Sequence, residues 1–185
     1  YCFNPHKWLL TNFDCSCFYV ANRRDLIHAL TINPEYLRNE ASDAGEVFDY
    51  RDWQVPLGRR FRALKLWFVL RGFGLRGLRA LLQQHLALAA EFAAWVAADG
   101  AFEIVTPRSL SLVCFRHRAG DDMTRRIQAR VNAGGKVFLS HTVLRGQHVL
   151  RLSVGAATTQ HEDVANAWRE LQAAALAEAT AAPAS

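Results

Sequence analysis

A lysine that directly follows Asn-Pro-His is the feature of this sequence most suited to chemistry. Asn4, His6 and Lys7 lie in one pentapeptide that ends at Trp8, and the string Asn-Phe-Asp-Cys-Ser follows at 12–16. The lysine amine can hold an aldehyde as a Schiff base, and the amide and imidazole beside it can donate hydrogen bonds to an anionic group. The alternative is an ordinary surface lysine after a turn. The length of the combined motif favours the chemical interpretation.

A second long motif spans residues 49–67 and contains Gly58 followed by the run Arg-Arg-Phe-Arg at 59–62. The two motifs, in this order, resemble the group II pyridoxal-phosphate-dependent decarboxylases, and in particular the aromatic-L-amino-acid decarboxylases. Weaker similarity continues through residues 112–116 and 150–155. The resemblance therefore covers nearly the whole chain, and two independent motifs in the same order make coincidence implausible.

The resemblance implies an α/β enzyme that has the fold-type I architecture of PLP-dependent transferases. It also implies a homodimer with pyridoxal 5'-phosphate as cofactor. Residues 1–64 would be the C-terminal end of the large cofactor domain, and residues 65–185 a small α+β domain with an antiparallel sheet. Lys7 matches the lysine that binds the cofactor covalently, while Asn4 and His6 match residues that help hold its phosphate. Gly58 matches a residue that offers its backbone to the phosphate from the partner subunit.

Residues 31–50 are polar and show no apolar periodicity. Such a long loop is typically functional or disordered, and its composition suggests a lid. The resemblance makes this the mobile loop that closes over the neighbouring active site, with Tyr36 as proton donor to the carbanion left by decarboxylation. Without the resemblance, a surface loop tyrosine would be an equally good interpretation.

The implied function is decarboxylation of an aromatic L-amino acid to the amine and CO2, in the cytoplasm. His6, Trp8 and Gly58 match the aromatic class where glutamate or histidine decarboxylases carry other residues. Tyrosine, dihydroxyphenylalanine, tryptophan and phenylalanine are all compatible as substrates. The alternatives are an aldehyde synthase, a decarboxylase of another amino acid on the same fold, and a non-catalytic folding or dimerisation module. A phenylalanine in place of Tyr36 is associated with aldehyde-forming relatives, so Tyr36 favours decarboxylation.

The sequence begins at Tyr1, shortly before Lys7, and has no initiator methionine. We therefore expect a C-terminal part of a longer protein. We also expect the 185 residues alone to lack useful decarboxylase activity, because the acidic residue that pairs with the pyridine nitrogen would lie upstream of Tyr1.

The composition is that of a globular protein, with 51% hydrophobic residues and a mean hydropathy of −0.04. No apolar stretch reaches the ~20 residues of a bilayer span, so no membrane association is expected. The net charge is +5, most of the basic residues are arginines, and two arginine clusters stand out at 59–62 and 71–79. Nucleic-acid binding would require exposed aromatic rings among them. Phe61, Trp67, Phe68 and Phe73 instead recur at helical spacing beside leucines, which predicts a buried stripe and argues against that partner.

The four cysteines and seven histidines show no spacing typical of a metal site, so no metal is expected. Cys2, Cys15, Cys17 and Cys114 are interpreted as free thiols in a reducing cytosol.

Apolar periodicity and turn residues predict the elements that position these motifs. A strand is predicted over 15–21, a short helix over 25–30, and helices over 60–71 and 75–98, separated by Gly72 and Gly74. The remaining predicted elements are strands over 102–106 and 110–116, a helix over 122–132 ended by Gly134-Gly135, a hairpin of 137–143 with 148–154, and a helix over 160–178.

Overall fold

The computed structural model describes residues 1–31 and 47–181, which form two compact units. The first unit is Tyr1–Gly72 and the second is Phe73–Ser185. The boundary between the predicted domains, 1–64 and 65–185, lies eight residues before the boundary between these two units. That domain assignment stays a prediction.

The first unit consists of short elements joined by irregular chain. Strands β1 (Cys2–Phe3) and β2 (Cys17–Phe18) form a two-stranded antiparallel sheet, with helix α1 (Pro5–Trp8) between them. Helix α2 (Arg23–Leu30) begins after Asn22, whose side chain accepts a hydrogen bond from the Arg24 backbone N–H. A 3-10 helix follows at Tyr50–Trp53.

The strand predicted over 15–21 is shorter than expected: Cys17–Phe18 forms the strand, and Tyr19 continues the pairing by exchanging backbone hydrogen bonds with Tyr1. Cys15 cannot extend this ladder, since its backbone N–H and carbonyl are both bonded to His6. The short helix predicted over 25–30 is confirmed by α2 and begins two residues earlier.

Helix α3 (Arg62–Ala98) consists of two helical stretches that meet in a kink at Gly74, whose φ of 65° and ψ of 166° are not helical. This confirms the prediction of two helices, over 60–71 and 75–98, with a break at the glycines between them. The prediction that its N-terminal aromatics form a buried stripe is wrong for this chain. Phe61 is 74% exposed and Trp67 52%, and Phe68 and Phe73 are also exposed. A helical pattern identifies an apolar face but not whether another element covers it. The argument against nucleic-acid binding from ring burial therefore loses its support.

The second unit is built on a four-stranded antiparallel sheet of order β3-β4-β6-β5, which confirms the predicted α+β architecture. The two-residue turn Arg145-Gly146, with positive φ at both residues, joins β5 to β6, as expected for a tight hairpin. The elements of this unit after α3 are β3 (Phe102–Ile104), β4 (Leu112–His117), α4 (Asp121–Ala133), β5 (Ser140–Leu144), β6 (Gln147–Ser153) and α5 (His161–Thr180).

The core of the second unit lies between one face of this sheet and helices α3, α4 and α5. Phe92 of α3 is fully buried, with its ring 5.2 Å from that of Phe115 and 5.7 Å from that of Trp168. Helix α5 begins with a capping box between Gln160 and Asp163, which satisfies the first free backbone donors. Burial of this continuous apolar cluster stabilises the unit.

Among the described residues, no helix combines the length and apolar character needed to cross a membrane.

Candidate active site

The lysine turn, residues Asn4–Trp8, is held at the end of the small β1–β2 sheet. Asn4 has extended backbone geometry, and Pro5 occupies the first position of α1, where its missing N–H costs nothing. Pro5 is buried, whereas Lys7 is exposed. The proline thus anchors the turn, and the lysine side chain is accessible from outside it.

Two side chains close the turn onto the segment that follows it. The Cys15 N–H donates to His6 Nδ1 at 3.1 Å, and the His6 N–H donates to the Cys15 carbonyl at 3.3 Å. His6 Nδ1 also lies 2.7 Å from that carbonyl oxygen. The ring is therefore held through Nδ1 in either tautomer. Ser16 Oγ donates to Asn4 Oδ1 at 2.7 Å, which ties the other end of the turn.

The amine of Lys7 has no hydrogen bond or ion pair within the part of the chain that is described, and His6 Nε2 likewise makes no hydrogen bond there. An accessible amine can attach to an aldehyde, and the neighbouring ring nitrogen and Asn4 amide nitrogen can face an anion. The residues present therefore fit a phosphate-bearing aldehyde such as pyridoxal phosphate.

An ion pair links the lysine segment to the second motif. Arg62 Nε and Nη2 both donate to Asp14 Oδ2, at 2.9 Å and 2.8 Å, and Lys65 Nζ lies 3.9 Å from Oδ1. The hydrogen bond from Arg62 is the main cause that lowers the pKa of Asp14 to about 2. The carboxylate is therefore charged at neutral pH and remains bonded to the first residue of α3.

Gly58 lies on exposed chain between the 3-10 helix and α3. A Cβ added at this position would meet no heavy atom within 4 Å, so its backbone is open to an approaching group. The neighbouring Arg59 donates a hydrogen bond to the Gln54 side chain at 2.7 Å, and this bond spans the loop segment that contains Gly58. A cavity of about 940 Å³ in the same unit is lined by β2, α2, the 3-10 helix and residues of this motif.

The structure brings Asn4, His6 and Lys7 together in one turn, and among the described residues it gives no contact between them and Gly58. Tyr36 lies outside the described residues. Within 1–31 and 47–181, no cluster of three or more His, Cys, Asp or Glu could hold a metal ion. All these role assignments remain predictions.

The sequence motifs contain Asp14, Ser16 and Arg62, but sequence reasoning gave none of them a role. The sequence offered one indication of this contact, namely opposite charges in the two motifs. The contact joins residues 48 positions apart, so pattern reasoning could not have paired them.

The family model described as the pyridoxal-dependent decarboxylase conserved domain matches residues 1–118. The chain is 49% identical over 176 residues to tryptophan decarboxylase 2 of Oryza sativa subsp. japonica. That alignment covers 91% of the chain and 35% of the relative. It is 48% identical to phenylacetaldehyde synthase of Arabidopsis thaliana, over 91% of the chain and 36% of that protein. The chain thus spans little more than a third of the length of these relatives.

Solved structures agree with the sequence comparisons. The crystal structure of Oryza sativa TDC with PLP and tryptamine superposes with a TM-score of 0.90 at 41% identity, covering 96% of the chain and 38% of that structure. The crystal structure of mouse CSAD in apo form, at 20% identity, gives a TM-score of 0.78 and shows the fold alone.

Proposed function

Because this chain belongs to the pyridoxal-dependent decarboxylase family, we propose that the intact protein decarboxylates an aromatic L-amino acid to its amine and CO2 with pyridoxal 5'-phosphate as cofactor. The observation that carries the proposal is the lysine turn: an exposed Lys7 amine on a turn that His6 and Cys15 close through reciprocal backbone and ring contacts. The chain covers about a third of its relatives, so the activity is proposed for the whole protein.

The described residues have defined tasks in this proposal. Pyridoxal phosphate, when bound, supplies the conjugated ring that accepts the electron pair released with CO2. Lys7 would attach the cofactor aldehyde and recover it when the amine product leaves. Asn4 would hold the phosphate by donating from its amide nitrogen, and His6 by donating from Nε2, which carries a proton when Nδ1 accepts from the Cys15 N–H. The exposed backbone of Gly58 would donate to the phosphate in the partner subunit of a homodimer.

The proton that replaces CO2 needs a donor near Cα. We assign this task to the phenol Oη of Tyr36, which lies outside the described residues. Closure of its loop over the partner's site would also exclude water. This assignment rests on the match to the family motif.

The relatives support the proposed substrate class. Tryptophan decarboxylase 2 of Oryza sativa and tyrosine decarboxylase 2 of Narcissus pseudonarcissus are 49% and 48% identical to the chain. An indole or a phenol on the same amino-acid backbone shares a flat apolar ring, which favours an aromatic side chain as the common substrate feature. We place the protein in the cytoplasm, because its four cysteines are free thiols.

An aldehyde synthase is a second candidate, since phenylacetaldehyde synthases are 48% and 43% identical to the chain. Such a reaction would consume O2 and one water and release aldehyde, CO2, ammonia and hydrogen peroxide. Tyr36 favours the amine product. Intact wild-type protein should form amine without peroxide, and Tyr36→Phe should shift the products towards aldehyde and peroxide. Peroxide formation by the wild type at the rate of CO2 release would favour the synthase instead.

The cofactor assignment is tested by chemical trapping. Intact protein is incubated with pyridoxal phosphate and reduced with borohydride, and the modified peptides are identified by mass spectrometry. Of the chain's three lysines, Lys7 should be modified at the lowest cofactor concentration. Lys65 and Lys136 are internal controls, because they lie beside Asp14 and Glu170 respectively. Equal modification of all three, or modification that survives in Lys7→Ala at an unchanged level, would refute the assignment.

A further inference from the structure

The first helical residue after the second motif holds the end of the first motif. Arg62 donates twice to Asp14 Oδ2, and the Arg62 carbonyl oxygen also lies 4.0 Å from Cys15 Sγ. Cys15 is only 3% exposed. Both the side chain and the backbone of Arg62 therefore contact adjacent residues of the lysine segment.

These contacts lead directly to the lysine. Cys15, next to Asp14, is bonded to His6 through its N–H and its carbonyl. His6 is the residue before Lys7, whose own N–H donates to the Asn4 carbonyl at 3.0 Å. A continuous path of contacts and chain neighbours thus runs from Arg62 through Asp14, Cys15 and His6 to the lysine backbone.

The ion pair is poorly placed to serve stability alone. The side chains of Arg62 and Asp14 are 29% and 36% exposed, and ion pairs in such partly exposed sites contribute little to folding because water screens them. An arginine that donates two hydrogen bonds to one carboxylate does, however, fix direction as well as distance. This ion pair is therefore better suited to fix the relative position of the two segments than to stabilise the fold.

We propose that Asp14 and Arg62 are positioning residues that set the lysine turn for covalent attachment of the cofactor. The inference rests on the proposed function, because it assigns these residues to the cofactor lysine of that same site. Neither residue contacts the reacting amine. Their effect on Lys7 is transmitted through Cys15 and His6, and the long lysine side chain would otherwise sample many orientations.

The test compares matched variants of the intact protein in the borohydride trapping assay. Asp14→Asn and Arg62→Gln should each raise the pyridoxal phosphate concentration needed to trap half of Lys7 on the order of tenfold or more, because misplacement of a reacting group costs rate and occupancy steeply. Arg62→Lys should recover part of this loss, since a lysine keeps the charge but not the forked donors. The exchanged double variant, Asp14→Arg with Arg62→Asp, should trap better than either charge-reversed single variant.

Controls separate positioning from folding. Arg118→Gln removes a comparable exposed ion pair with Glu103, 3.3 Å long, in the second unit and should leave trapping unchanged. Lys65→Gln removes the longer 3.9 Å contact to Asp14 and should have a small effect. Thermal unfolding of Asp14→Asn and Arg62→Gln should shift no more than that of Arg118→Gln. If Asp14→Asn unfolds, Asp14→Glu, which keeps the charge and displaces the carboxylate, takes its place.

The outcomes distinguish the two proposals. Wild-type protein that traps at Lys7 while Asp14→Asn, Asp14→Glu and Arg62→Gln trap equally well would overturn the positioning role and leave the proposed function intact. Loss of trapping that follows loss of thermal stability in every variant would also overturn it. Absence of trapping at Lys7 in the wild type would refute the proposed function itself.

Discussion

His148 Nε2 and Gln128 Oε1 lie 2.9 Å apart and join the inner strand β6 to helix α4. Since the amide oxygen only accepts, the imidazole must donate from Nε2. The His148 ring is buried and stacks on that of His141, with 4.5 Å between centroids. This contact makes a titratable group part of the packing between sheet and helix.

The stability of the chain should therefore fall in mild acid. Burial, followed by the neighbouring His141 and Arg125, lowers the pKa of His148, while Asp121 opposes this. A histidine whose folded pKa lies below its unfolded value of about 6.5 contributes full stability above that value. Its contribution declines as the pH falls from about 6.5 to the folded pKa, because the unfolded chain then binds the proton more readily.

Urea unfolding between pH 8 and pH 5 measures this effect. His148→Gln keeps a donor for Gln128 but removes the titration, so its midpoint should fall less on acidification than that of the wild type. His28→Gln, at an exposed position of α2, is the matched control and should follow the wild type. Parallel curves for His148→Gln and the wild type would contradict the prediction.

The carboxyl group of Asp14 should titrate far below an ordinary aspartate. Its pKa is lowered to about 2, chiefly by the hydrogen bond from Arg62. Because the pKa of Asp14 is lower in the folded chain than in the unfolded chain, the charged carboxylate stabilises the fold above the unfolded pKa of about 3.9. This stabilisation is lost as the pH falls towards 2. Carbon-13 NMR of the Asp14 carboxyl should show it still charged near pH 4, and Arg62→Gln should raise its midpoint. A midpoint unaffected by Arg62→Gln would show that the ion pair does not form in solution.

Phe92 should be a dominant contributor to the core of the second unit. It is fully buried between Phe115 and Trp168, so Phe92→Ala should lower the free energy of unfolding by about 3–5 kcal/mol. Phe138 is 83% exposed, and Phe138→Ala should change it by less than about 0.5 kcal/mol. Urea denaturation of both variants checks the difference. Similar losses for the two substitutions would mean that Phe92 is not packed as described.

Sequence patterns predicted the second unit well because its elements have local signals. Helix α4 (Asp121–Ala133) was predicted to within one residue at each end, since an apolar stripe runs up to the Gly134-Gly135 stop. The hairpin was predicted from a turn at 145–147 between two alternating runs, and it forms with a tighter turn at Arg145-Gly146 and a first strand that begins only at Ser140. In each case residues close in the chain decide the structure.

The first unit was predicted less well because its structure depends on distant contacts. The strand predicted over 15–21 pairs only at 17–19. At its N-terminal side Cys15 bonds to His6 instead of to a ladder, and β-propensity does not reveal such a competitor. The lysine turn itself was located by its motif, but its link to Arg62 joins segments far apart in sequence. Motifs thus supplied the candidate site residues, whose roles stay predictions, while the contacts that hold them emerged only from the structure.

Two glycines of α3 provide a matched test of the helix interruption. Gly74 has φ 65° and ψ 166°, a region that residues with a Cβ rarely adopt, and Gly74→Ala should cost about 1–3 kcal/mol of unfolding free energy. At Gly72 φ is not positive and a Cβ would meet no heavy atom within 4 Å, so Gly72→Ala should instead stabilise by about 0.5–1 kcal/mol through helix propensity. Urea denaturation gives both values. The two substitutions add the same methyl group two residues apart, so changes in unfolding free energy of opposite sign would isolate backbone strain at Gly74. A gain in stability for Gly74→Ala would mean that the helix runs through that residue without interruption.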